Sequence, residues 1–80
     1  MTRPRIVLVT GGGTGAGKAI ARRFAEEGAT VYVAGRRAAM LEQTAAEFKS
    51  LKGRVTAIPS DVSNAAQVEA LIDRIHREEG

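Results

Sequence analysis

Ile6-Val7-Leu8-Val9-Thr10-Gly11-Gly12-Gly13-Thr14-Gly15-Ala16-Gly17-Lys18 is the stretch on which the reading of this chain turns. Its first four residues are apolar and mostly β-branched, the pattern of a strand buried on both faces of a parallel sheet. The run ends at Thr10 in a burst that holds five of the chain's nine glycines. Helical spacing follows at once. Ala16, Ile20 and Phe24 recur every four residues and predict an apolar face, with Arg22, Arg23, Glu26 and Glu27 opposite. Gly28 reads as the residue just past the helix end. A strand that runs into a glycine-rich turn and then a helix offers backbone N–H groups and a positive helix end to an anion, so phosphate is the natural ligand. Glycine meets both demands of such a turn: positive φ, and no Cβ where a pyrophosphate approaches the main chain. A flexible turn without a ligand is the alternative, and the direct placement between strand and helix argues against it.

Outward from this stretch the elements alternate. Thr30, Val31, Tyr32, Val33 and Ala34 predict a second strand, and a second helix from about 38 to 51 places Leu41, Ala45 and Phe48 on one face. Gly53 closes the following loop. A third strand runs from Arg54 to about Ile58 and meets Pro59, which has no N–H for a ladder and is tolerated mainly at a sheet edge. Ser63 or Asn64 caps a third helix whose predicted buried stripe is Val68, Leu71, Ile72 and Ile75. The order βαβαβα implies parallel strands joined by right-handed crossovers. The fold class is therefore α/β, the N-terminal βαβαβα half of a doubly wound parallel (Rossmann) sheet. In the strand order 3-2-1-4 the first strand is central, and nothing in the 80 residues supplies the fourth. Residues 1–80 are expected to be the N-terminal portion of a single dinucleotide-binding domain, truncated before the catalytic half. The first strand's free edge and one apolar flank would then be open.

Composition narrows the function classes. Eighty residues hold one domain at most, with 44% hydrophobic and 26% charged residues in ordinary globular proportion. Twelve Lys and Arg against nine Asp and Glu give a net charge of +3, but the basic residues are dispersed among acids and only three aromatics are present. That is no stacking platform with a basic stripe, and no nucleic-acid partner is expected. The absence of cysteine removes disulfide and thiol chemistry and fits a reducing, cytoplasmic setting. No metal-ligand spacing occurs around the lone His76, which reads as a surface residue. The basic start is followed by only four apolar residues, too few for a signal sequence, and no apolar run approaches the ~20 residues of a membrane span.

At the glycine loop the chain resembles the short-chain dehydrogenase/reductase family. Thr10-Gly11-x-x-x-Gly15-x-Gly17 matches its TGxxxGxG motif, and Asp61-Val62 after the third strand matches its usual Asp-Val or Asp-Leu pair. The run Gly11-Gly12-Gly13-Thr14-Gly15 also looks like the dienoyl-CoA and enoyl-CoA reductase branch. The resemblance covers the whole chain. It implies that Gly11, Gly15 and Gly17 line the adenosine and pyrophosphate of a nicotinamide dinucleotide, with Thr10 and Thr14 in the same loop. It further implies that Asp61 bonds the adenine amino group and that Val62 packs on the adenine ring. Ala16 departs from the family's usual Ile or Leu at the contact near the nicotinamide ribose. The family's Asn-Asn-Ala-Gly segment, catalytic serine and Tyr-x-x-x-Lys have no counterpart within these residues, so no catalytic residue is assigned. The resemblance implies a small-molecule substrate and a homo-oligomer for the complete protein.

A rival motif is present. Gly12-x-x-x-x-Gly17-Lys18 satisfies most of a P-loop, whose lysine reaches the β and γ phosphates. The next residue is Ala19, which has no oxygen for magnesium where a P-loop requires Ser or Thr. Lys18 is then read as a solvated basic residue of the first helical turn. Cofactor choice is read at the end of the second strand, where NAD-preferring folds place an acid for the ribose 2′-hydroxyl. Here the sequence is Ala34-Gly35-Arg36-Arg37. A guanidinium offers a fork for a 2′-phosphate and a plane to stack on adenine, so NADP(H) is expected over NAD. The resemblance implies that Gly35 takes the usual acidic position, with Arg36 as the phosphate-binding cation and Arg37 as a second. Surface charge at a helix start is the competing reading, disfavoured because cations there oppose the helix dipole unless an anion arrives.

Three apparent catalytic groups are declined. Tyr32 stands four residues before Arg36, but in a strand, and is expected in the core or on the sheet surface. Ser60 and Ser63 have no base nearby, and capping accounts for Ser63. The expectation is the NADP(H)-binding part of an oxidoreductase that moves a hydride between nicotinamide and a carbonyl, alcohol or activated alkene, inactive as 80 residues alone. A nucleotide-binding module without catalysis is the alternative.

Overall fold

The computed structural model describes residues 5–11 and 15–79. Three strands, β1 (Ile6–Thr10), β2 (Thr30–Gly35) and β3 (Arg54–Pro59), alternate with three helices, α1 (Gly15–Glu26), α2 (Ala38–Glu47) and α3 (Ala65–Glu79). The strands form one parallel sheet in the order β1-β2-β3, with Ile6 opposite Thr30 and Thr30 opposite Arg54. This is the βαβαβα arrangement the sequence predicts. Pro59 closes β3 at the sheet edge, where its missing N–H costs no ladder bond.

Alternation along the strands sorts the core into two faces. Val7 and Val9 of β1, Val31 and Val33 of β2, and Val55 and Ala57 of β3 pack with Ala21, Ala25, Leu41 and Phe48, so α1 and α2 share one face. Tyr32, Ala34 and Ile58 turn the other way and meet Leu71 and Ile75 of α3. β1 is not buried on both faces as its sequence suggests. Ile6 and Leu8 are 48% and 39% exposed, because α3 lies over β2 and β3 and leaves this side of β1 bare.

Helix α1 buries a different stripe from the one its spacing predicts. Ala21 and Ala25 are fully buried and Phe24 half-buried, whereas Ala16 and Ile20 are exposed. Two alanines let the helix backbone approach the valines of β1 and β2 closely, and the larger Phe24 fills the margin. Past the helix, Gly28 takes φ 93°, its N–H donating to Ala25 O (3.0 Å) and that of Ala29 to Phe24 O (3.0 Å). This is the glycine-closed helix end that the sequence predicts.

Helix α2 ends at Glu47, four residues short of the predicted boundary. The chain turns early because Gly53 must reach the α1–β2 connection, where its N–H donates to Ala25 O (2.7 Å) and the N–H of Arg54 to Ala29 O (3.1 Å). Leu41 and Phe48 are buried as expected, and so is Thr44, whose hydroxyl donates to Met40 O (3.1 Å). In α3 Leu71 is buried and Val68 and Ile75 half-buried, but Ile72 is 42% exposed. It sits about 100° around the helix from Leu71, outside the contact with the sheet. Among the described residues no helix is long and apolar enough to cross a membrane.

Candidate functional site

Parallel register sets Thr10, Ala34 and Ile58 level at the C-terminal ends of their strands. The segments leaving those ends, Gly11, Gly35-Arg36-Arg37 and Ser60-Asp61-Val62, therefore emerge along one edge, where open α/β sheets receive ligands. Hydrogen bonds to β2 fix two of these exits. Gly11 N–H donates to Ala34 O (2.8 Å) and Ser60 N–H to Gly35 O (2.7 Å). Gly11 at φ 71° and Gly15 at φ 57° both hold left-handed conformations that other residues adopt only with strain, and a Cβ on either would meet nothing within 4 Å. The glycines thus bound open space at the start of α1. Thr10 and Ala16 are exposed there, and Gly17 is half-buried in the first turn. Thr14, with Gly12 and Gly13, lies outside the described residues.

The electrostatics of this edge are positive. No acidic residue occupies the first turn of α1 or α2, so neither helix N-terminus is compensated from within. Arg36 and Arg37 are exposed and lead directly into α2. Arg37 is the N-cap of α2 and makes no side-chain capping bond; its carbonyl accepts from Leu41 N–H (3.1 Å), and its guanidinium lies 3.6 Å from Met40 Sδ. Among the described residues Arg36 forms no ion pair.

Asp61 is the anion of the edge. Its Oδ1 accepts from Ser63 Oγ–H (2.6 Å) and Ser63 N–H (3.0 Å). These two bonds hold its carboxyl below the ordinary value of 3.8; partial desolvation opposes them, and the positive charge of Arg36 assists. Arg36 and Asp61, remote in sequence, therefore share one electrostatic neighbourhood. Val62 beside Asp61 is 40% exposed, an apolar surface at the same edge.

Ser63 does not cap α3, because Asp61 takes its hydroxyl. The cap is Asn64, whose Oδ1 accepts from Gln67 N–H (3.2 Å). Gln67 in turn accepts the Asp61 N–H through Oε1 (2.7 Å). This brace escaped the sequence reading, although Asn64-x-x-Gln67 carries the spacing of a capping box. Lys18 keeps the partial solvent exposure expected of it and also forms a surface ion pair with Glu47 across α1 and α2, a partner that its sequence position did not reveal. Ala19 behind it is exposed and offers no oxygen to a metal. His76 lies exposed on α3, away from the strand ends.

Tyr32 is wholly buried between sheet and α3, and its hydroxyl donates to Glu78 Oε1 (3.1 Å) and to Glu79 Oε2. Burial, with these two carboxylates, pushes its pKa up to about 12. It is a core residue, as its place in a strand suggests. Among the described residues no three His, Asp or Glu stand together as a metal site would require.

A family model for the short chain dehydrogenase matches residues 5–80. An uncharacterized oxidoreductase of Caenorhabditis elegans is 46% identical over 77 residues, covering 95% of this chain and 25% of that protein. A probable 2,4-dienoyl-CoA reductase of the same organism is 44% identical over 77 residues, with the same coverage. The chain spans about a quarter of the length of these curated relatives. Among solved structures, a short-chain type dehydrogenase/reductase from Mycobacterium ulcerans superposes with a TM-score of 0.90 at 32% identity, over 95% of this chain and 29% of that one. An alcohol dehydrogenase from Thermococcus sibiricus, complexed with 5-hydroxy-NADP, superposes at 0.87 with 28% identity, over 95% and 33%. The glycine turn between β1 and α1, the parallel sheet and these matches agree: the chain belongs to the short-chain dehydrogenase family.

Proposed function

We propose that residues 1–80 are the cofactor-binding portion of a single Rossmann domain in an NADP(H)-dependent oxidoreductase. The observation that carries this reading is the edge at the end of β2. There Gly35 stands where an acid would select NAD, and Arg36 and Arg37 follow it exposed, at the start of α2, whose first turn holds no acid. The residues fit the group. Gly11 and Gly15 border open space that a pyrophosphate can enter, the start of α1 offers amides to it, and Arg36 provides a planar fork for a 2′-phosphate. The archaeal relative held with 5-hydroxy-NADP and a Burkholderia phymatum relative held with NAD support a nicotinamide dinucleotide here, and the choice of NADP(H) rests on Gly35, Arg36 and Arg37.

In this reading Thr10, Gly11, Thr14, Gly15, Ala16 and Gly17 surround the pyrophosphate and the riboses. Arg36 and Arg37 hold the 2′-phosphate, Asp61 accepts from the adenine amino group, and Val62 packs on the ring. When bound, the nicotinamide supplies or accepts a hydride, against a carbonyl, alcohol or activated alkene of a small-molecule substrate. These residues bind and orient. The proton donor and acceptor belong to the catalytic half of the complete protein. The lack of cysteine supports a cytoplasmic setting.

Arg36→Ala in the complete protein tests the assignment. Loss of a charge-assisted contact is expected to weaken NADP binding by about 1.5 to 3 kcal/mol, roughly tenfold to a hundredfold, and to spare NAD. Calorimetry with both cofactors reads the difference, and equal losses for the two would remove the 2′-phosphate assignment.

A further inference from the structure

We infer that Gln67 is the positioning residue for Asp61: from the first turn of α3 its side-chain carbonyl takes the Asp61 amide and so fixes the carboxylate at the ligand edge. The inference rests on the proposed dinucleotide site and adds to it a specificity element outside the strand ends.

The local geometry departs from an ordinary capping box. In that arrangement the residue at the third helical position reaches back to the amide of the N-cap. Here the amide of Asn64 is already given to the carbonyl of Asp61 (3.0 Å). Gln67 therefore extends past the cap to the amide of Asp61 itself (2.7 Å), while its own N–H donates to Asn64 Oδ1 (3.2 Å). Asp61 is held through its amide by Gln67, through its carbonyl by Asn64, and through Oδ1 by the hydroxyl and amide of Ser63. Among the described residues Oδ2 accepts no hydrogen bond, so one oxygen is left to a ligand.

These bonds are not equivalent. Those from Ser63 and Asn64 lie within the loop and move with it, whereas Gln67 stands in α3 and ties the loop to the helix. Residue type matters as well. A glutamate at this position would accept the same bond but set a second negative charge beside Asp61. Glutamine accepts without that charge, and Asp61 keeps its attraction to Arg36.

The test uses Gln67→Leu and Gln67→Glu in the complete protein, with calorimetry on NADP, NAD and nicotinamide mononucleotide, and hydrogen exchange at the Asp61 amide. Gln67 is exposed, so neither change opens the core. Gln67→Leu is expected to weaken both dinucleotides by about fivefold to tenfold, to leave the mononucleotide unchanged because it has no adenine, and to speed Asp61 amide exchange. Gln67→Glu is expected to return that exchange to the wild-type rate. Unchanged dinucleotide affinity in Gln67→Leu, or an equal loss for the mononucleotide, would overturn the inference while the dinucleotide site stood. If the unaltered protein bound none of the three, the proposed function would fail. The exchange arm would still decide the brace, with an unchanged Asp61 rate in Gln67→Leu counting against it.

Discussion

Gly53→Ala is expected to be the most damaging single-methyl substitution among the described glycines. A Cβ built at Gly53 falls on the carbonyl oxygen of Ala29 and lies 3.0 Å from both Ala25 O and Ala29 N. All three atoms are backbone, so no side chain can swing aside. Relief requires the α2–β3 loop to withdraw, and withdrawal breaks the bonds from Gly53 N–H to Ala25 O (2.7 Å) and from Arg54 N–H to Ala29 O (3.1 Å). Overpacking costs about 2 kcal/mol, and the two bonds add about 1 kcal/mol each. Reduced freedom of the unfolded chain returns somewhat under 1 kcal/mol. The expected net loss is about 3 kcal/mol. Gly28→Ala serves as the control: its φ of 93° strains any other residue, but its Cβ would meet only the Lys52 side chain at 3.6 Å or more. Left-handed strain there costs about 1 to 2 kcal/mol. Equilibrium urea unfolding of the complete protein compares the two, with the slope unchanged. Dinucleotide affinity in Gly53→Ala should be retained, because the ladder from Val55 to Pro59 still fixes the far end of β3. If Gly53→Ala cost no more than Gly28→Ala, the loop would not be pinned to the α1–β2 turn and the packing argument would fail.

Alkaline unfolding should report on Tyr32. Its folded pKa of about 12 lies above the ordinary 10.0, so its contribution is complete below pH 10 and is lost as pH rises through 12; the loss amounts to about 2 to 3 kcal/mol. Tyr32→Phe should flatten the stability profile across that window, and an unchanged slope would show that burial and the Glu78 and Glu79 contacts do not hold the hydroxyl in its protonated form. At the glycine turn, Gly17→Val is expected to weaken NADP and NAD alike, by about a hundredfold or 3 kcal/mol, through obstruction of the pyrophosphate, with the far-ultraviolet circular dichroism intact. Retained tight binding in that variant would locate the phosphate elsewhere.

The elements of the fold that depend on near neighbours were legible in the residues. A short apolar run, a glycine burst and a helical spacing define β1, the turn and α1, because each is set by local conformational preference. Gly28 announced the end of α1 for the same reason, since a left-handed residue is required where a helix closes. The Gly35-Arg36-Arg37 segment and Asp61-Val62 were recognisable as site candidates from their places after strands, although their mutual proximity was not. Only the parallel register makes neighbours of residues 36 and 61, and only then does the charge of Arg36 act on Asp61.

Tertiary structure decided whatever depends on a partner distant in the chain. Periodicity in α1 offered Ile20 as a core residue, but the sheet selected Ala21 and Ala25, because close approach of a helix to valine-rich strands favours small side chains. The end of α2 was set by the bonds of Gly53 and Arg54 to the α1–β2 turn. Lys18 found Glu47 on another helix, and Tyr32 found Glu78 and Glu79 at the far end of α3. Sequence fixes what each segment prefers, through its own torsions and spacing. Which of its faces meets what is a property of the packed whole, since burial and hydrogen-bond partners exist only once the segments are assembled.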